Sequence, residues 1–150
     1  MINMLPYIEN SLKIFINRRH LRKMAILRLK NEINYNLRII DMINWNEINK
    51  KTKKHLSNQL STNALEEFIY LGKPNLVEKL LNAYSNKNIL KTVDEKHVER
   101  ESLTGNIINR IKTVKVIANL PEELSENDKS NFTTRINNIK IGLNDLKKLI

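Results

Sequence analysis

Residues 26–43 read ILRLKNEINYNLRIIDMI. Within this stretch Ile26, Leu29, Ile33, Leu37, Ile40 and Ile43 recur every three or four positions, the spacing of one face of a helix that advances about 100° per residue. Toward the N-terminus, after Pro6, Ile8, Leu12 and Phe15 continue that stripe. The spacing predicts a nearly continuous helix from Tyr7 to Trp45, ~55–60 Å long at 1.5 Å per residue.

Two features complicate that helix. Arg18, Arg19, His20, Leu21, Arg22 and Lys23 stand between the two halves of the stripe, and Arg19 and Arg22 fall on the face that is apolar on either side. Cations are costly in a packed interior, so the core is expected to stop here, leaving residues 1–23 as a basic, amphipathic arm. Farther along, Tyr35, Ile39 and Met42 form a second stripe on the opposite side. A helix apolar on two faces is either central in its domain or covered by another chain, which makes these three residues candidates for partner binding.

The rest of the chain reads as further helices. Lys50, Lys51, Lys53 and Lys54 with His55 suggest an exposed linker or frayed helix end. A short helix follows, with Asn63 as N-cap, Glu66 in the capping-box position and Gly72 as the stop. Pro74 opens the next, with Leu76, Val77, Leu80, Leu81 and Tyr84 on its buried face and a continuation toward Leu90 and Val93. Asp94 to Glu101 reads as a charged turn or exposed helical stretch. Leu103, Ile107, Ile111, Val114 and Ala118 make another stripe, stopped at Pro121. Ser125 with Asp128 resembles a capping-box variant ahead of the most regular pattern in the chain: Phe132, Ile136, Ile139, Leu143, Leu146 and Ile150. No strand-like alternation competes. The expected fold is all-α, a four- to five-helix up-and-down bundle with one long N-terminal helix, in a single domain spanning residues 1–150.

Composition agrees. Three glycines and three prolines in 150 residues favour long helices over a many-turned β fold. The absence of cysteine excludes disulfides, thiolate metal sites and cysteine nucleophiles. Abundant Asn, Lys and Ile, all with AT-rich codons, suggest an AT-rich bacterium or its phage. The opening residues lack a basic leader before an apolar run, and no segment approaches the ~20 apolar residues of a membrane span, so a cytoplasmic location is expected.

Charge is concentrated. Residues 1–60 hold twelve Lys/Arg against four Asp/Glu, a balance of +8 in a chain of net +10. A local field of one sign marks a partner surface better than total charge does. Three readings of the basic helix stay open: a solvated surface; a sequence-nonspecific nucleic-acid contact through Arg18, Arg19, Arg22, Lys23, Arg28 and Lys30; or an anionic membrane surface met by Ile8, Leu12 and Phe15 and the arginine cluster. With only eight aromatic residues there is no evident base-stacking platform.

Chemistry-bearing patterns are missing. His20, His55 and His97 are far apart, none with a second ligand at metal-binding helical spacing. Helical ribonucleases of the HEPN type place an Arg four to six residues ahead of a His; Lys50 and Lys91 stand there instead, before His55 and His97. Glu66-Glu67 and Glu122-Glu123 sit at predicted helix starts, where carboxylates suit the dipole. The chain is therefore expected to be a non-enzymatic interaction or accessory subunit without cofactor, metal or small-molecule substrate. It would dock onto a protein partner or itself through the long helix.

Overall fold

The structure, a computed structural model, describes residues 4–72, 87–120 and 126–150. All regular structure among the described residues is helical. The first helix, α1, spans Leu5–Asp41 (37 residues) and is about 55 Å long. It starts with Pro6 in its first turn, where a missing N–H costs nothing. It ends four residues before the expected Trp45. The Met42 and Ile43 N–H groups turn back to the carbonyls of Arg38 and Ile40, and the Asn44 side chain accepts from the Asn46 N–H at 3.2 Å. That local bond draws the chain into a 3-10 turn, Trp45–Glu47, instead of another helical turn.

The lysine run is not a linker. It forms α2, Lys50–Gln59. Asn49 caps it, its Oδ1 accepting from the Thr52 N–H at 2.9 Å and from the Thr52 hydroxyl at 3.0 Å. Leu56 and Leu60 anchor α2 in the core, and Lys53 is only 4% exposed. Its stem is covered while its ammonium lies 5.0 Å from the centre of the Phe132 ring, a cation–π arrangement.

The next helix, α3, spans Asn63–Gly72. It begins at Asn63 itself, so Asn63 is its first residue and not its cap. The capping carboxylate comes from another helix. Glu32 of α1, 9% exposed, accepts the Leu65 N–H at 2.8 Å and the Ser61 hydroxyl. One turn on, fully buried Asn36 grips Ser61 twice: its Nδ2 donates to the Ser61 carbonyl at 2.8 Å, and its Oδ1 accepts the Ser61 N–H at 2.9 Å. The expected helix after Pro74, with Leu76 to Tyr84, lies outside the described residues. So do Pro121, Ser125 and the side chains of Leu90, Val93 and Asp128.

Two long helices complete the fold: α4, Lys87–Ala118, and α5, Glu126–Leu149. The charged stretch from Asp94 to Glu101 is helical within α4. α1 packs on α3 and α5, α4 packs on the same two, and α2 closes against α4 and α1. Directions follow from the pairs. Glu32 meets Leu65 and Arg22 meets Leu71, so α3 runs opposite to α1. Lys112 meets Glu66 and Gly105 nears Ile69, so α4 opposes α3. Arg110 meets Asn138 and Ile107 nears Gly142, so α5 opposes α4. Leu29, Ile33 and Ile40 meet Leu65 and Phe68, Ile107 and Ile111, and Ile136 through Leu146 in one core.

The two described mid-helix glycines differ in what surrounds them. A Cβ on Gly142 would stand 3.0 Å from Ile107 Cγ1, whereas one on Gly105 would meet only Ile69 Cδ1 at 4.0 Å. Gly105→Ala should therefore stabilise the protein by about 0.5–1 kcal/mol in urea denaturation through helix propensity. Gly142→Ala should lose that gain to the clash; equal stabilisation by both would contradict close α4–α5 packing. Glu32→Ala leaves the Leu65 N–H and Ser61 hydroxyl without their acceptor and should cost about 2–3 kcal/mol. The exposed neighbour control Asn34→Ala should stay within about 0.5 kcal/mol.

Candidate functional site

The side chains of α1 divide sharply by position. From Ala25 onward the helix has a buried strip of Ala25, Leu29, Ile33 and Ile40. From Met4 to Met24 no described side chain is buried. Leu5 (61% exposed), Tyr7 (66%), Ile8 (53%), Leu12 (52%), Ile14 (50%) and Ile16 (65%) are all at least half open to solvent. On a helical projection they occupy roughly 200° of the circumference. Glu9, Asn10, Lys13 and Asn17 fill the rest. The side chain of Phe15 is outside the described ones.

The junction between the halves is set by α3. Arg22, half-buried on the core-side face, donates from Nε to the Leu71 carbonyl at 3.0 Å. This carbonyl belongs to the last turn of α3, where such oxygens lack helical partners and a cation complements the dipole. The arginine on an otherwise apolar face thus serves as a lid on the end of α3. Among the described side chains, the first buried one of α1 is Ala25, three residues beyond Arg22.

The six basic residues expected to meet nucleic acid have different surroundings. Arg28 forms a two-pronged ion pair with Glu67, Nε to Oε2 at 2.8 Å and Nη2 to Oε1 at 2.5 Å. The pair holds the guanidinium above and the Glu67 carboxyl below their ordinary pKa, chiefly through the hydrogen bond between them. Glu66 is lowered likewise by its bond to Lys112. A carboxylate depressed in the folded state adds stability at neutral pH that fades as pH falls through that depressed range. Arg18 and Arg22 are half-buried. Arg19, Lys23 and Lys30 are exposed, and they lie within roughly 40° of one another on the projection. That strip continues N-terminally through Ile16, Leu12 and Leu5, so an apolar segment leads directly into a cationic one.

The second stripe, Tyr35, Ile39 and Met42, does not present one uniform surface. Met42 is 75% exposed and Tyr35 43%, while Ile39 packs against the core. The Tyr35 hydroxyl donates to Gln59 Oε1 at 3.3 Å. Tyr35 borders an open cleft of about 590 Å³, walled by Asn31, Glu32, residues 58–63 and Lys115. Its lone carboxylate, Glu32, is already engaged by Leu65 and Ser61, leaving amides, hydroxyls and one ammonium at the wall. His20 and His55 are exposed, and the side chain of His97 is outside the described ones. Among the described residues no three His, Asp or Glu cluster as metal ligands, and no helix is long and apolar enough to cross a membrane.

Leu5, Tyr7 and Ile14 belong to the exposed surface although the sequence stripe omitted them: Leu5 lies on the flank of the Ile8, Leu12 and Phe15 stripe just ahead of its first residue, whereas Tyr7 and Ile14 lie roughly 80–160° around the helix from it. Compared with known proteins, the chain matches no family model, no curated protein and no solved structure.

Proposed function

We propose that this chain is a non-enzymatic helical interaction protein, a single up-and-down bundle that docks onto an acidic protein partner through residues 5–24 of α1. One observation carries the reading: a helix continuous with the core exposes Leu5, Tyr7, Ile8, Leu12, Ile14 and Ile16 to at least half. Large contiguous apolar patches on a helix mark interaction surfaces more often than isolated exposed residues do. Covering what remains open on each is worth roughly 1 kcal/mol, so the six offer several kcal/mol against the cost of association. The mode is helix-in-groove.

Charge narrows the partner. Residues 1–24 carry five Lys/Arg and one Glu, a balance of +4. A second copy would bring the same positive helix, so an apolar groove with an acidic rim on a different protein suits it better. Tyr35 and Met42 lie on another side of α1 and could extend the contact. The reading needs no cofactor and fits a cytoplasmic accessory subunit.

The test is the double variant Leu12→Asp/Ile16→Asp, compared with wild type in crosslinking, sedimentation and affinity capture. It should keep the wild-type helicity and urea midpoint while losing the association. A variant that unfolds would show that these residues are core.

The exposed strip Arg19, Lys23 and Lys30 favours a second reading, nonspecific contact with nucleic-acid phosphates. Changing all three to Gln should then reduce the salt dependence of oligonucleotide binding by about two to three in slope. Retained affinity and slope would end that reading, and co-flotation of wild type with anionic vesicles would instead point to a lipid surface.

A further inference from the structure

The helices α4 and α5 meet along a seam whose two strands of sequence carry no acid. Residues 102–121 contain Arg110, Lys112 and Lys115, and residues 129–144 contain Lys129, Arg135 and Lys140, with no Asp or Glu in either. Two of these cations find acids on other helices. Lys112 Nζ lies 2.7 Å from Glu66 Oε1, and Lys140 Nζ lies 2.6 Å from Asp41 Oδ1. Among the described residues Arg110 and Arg135 meet no carboxylate.

Instead they share a cleft of about 180 Å³ with Asn109, Thr113 and Asn138. Arg110 crosses the seam and donates from Nη1 to the Asn138 carbonyl at 3.2 Å. Gly142 lies beneath it, where a Cβ would stand in ordinary contact with Nη1 at 3.8 Å. One bond orients the Arg110 guanidinium and leaves its other N–H groups available. Thr113 donates to the Asn109 carbonyl at 2.8 Å, so the remaining donors at the cleft are the two guanidinium groups and the Asn109 and Asn138 amides.

Two guanidinium groups lining one cleft, with no carboxylate among its lining residues, give it a positive field that favours an anion. Planar Arg forks match tetrahedral oxyanions by paired N–H···O bonds. The cleft is smaller than the ~300–1,000 Å³ of pockets that enclose a whole small ligand, and its size suits one anionic group with the carrier outside. We propose that the Arg110–Arg135 cleft binds a phosphate group. This site shares no residue with the docking surface of α1 and stands independently of that reading.

The test titrates the full chain with inorganic phosphate, following the arginine Nε–H resonances, and with a labelled single-stranded 12-mer by anisotropy. Chloride at equal ionic strength is the control. Phosphate should shift the Arg110 and Arg135 signals in the wild type where chloride does not. Among the described residues Arg135→Gln removes no internal bond, and it should weaken the phosphate response at least tenfold; Arg110→Gln should do the same. If the 12-mer also binds and both variants weaken it, the carrier is a nucleic-acid backbone. If only inorganic phosphate responds, the carrier is a small phosphorylated compound. The proposal is overturned if neither probe perturbs the two arginines, or if Arg135→Gln responds to phosphate as the wild type does.

Discussion

A carboxylate withdrawn from water needs donors around it, and Glu32 has them because α3 begins there: the Leu65 N–H and the Ser61 hydroxyl both point to it. The interaction does more than satisfy a buried charge. It places negative charge at the positive end of the α3 dipole and fixes the register between α1 and α3. α3 has ten residues and runs opposite to α1, so its far end falls about 15 Å back along α1. Ten positions before Glu32 stands Arg22, holding the Leu71 carbonyl. One helix thus supplies an anion to one end of α3 and a cation to the other, and Arg28 with Glu67 braces the middle.

That register sets how α1 is divided. Where α3 ends, the covered face of α1 ends, and the apolar residues before Arg18 have no comparable layer of described side chains on them. A helical segment of this length is marginal in water by itself, but here it extends a helix already nucleated by the core. Its persistence needs no packing; its composition does call for an explanation. Six large apolar side chains on a solvated surface are hard to account for by helix propensity, which Lys, Glu or Ala would serve as well. Docking is the physical reason offered for them.

The stripes were legible because periodicity needs only apolar positions: Leu29, Ile33, Ile40, Ile107, Ile111, Ile136, Ile139 and Leu143 are all buried. What escaped is polar chemistry that depends on partners far along the chain. Glu32 and Asn36 look like surface residues in an Asn-rich run, yet they are the grip on Ser61 from 25 or more positions away. Lys53 was hidden in a lysine cluster whose composition suggests solvent, because periodicity cannot register a long stem folded over Phe132. Arg28 resembled a free cation until Glu67 was placed beside it. Arg110 and Arg135 could have been suspected from the two acid-free windows, but only the α4–α5 crossing brings them to one cleft.

The central claim is that α1 is core from Ala25 to Ile40 and, among the described side chains, exposed surface before Arg18. Residue-resolved hydrogen exchange on the isolated chain measures this directly. Amides of residues 29–40 should exchange only through global unfolding, with protection matching the stability from urea denaturation. Those of residues 9–17 should exchange orders of magnitude faster, through local fraying. Uniform, global-level protection along the whole of α1 would contradict the account, because the N-terminal half would then be as much a part of the core as Leu29.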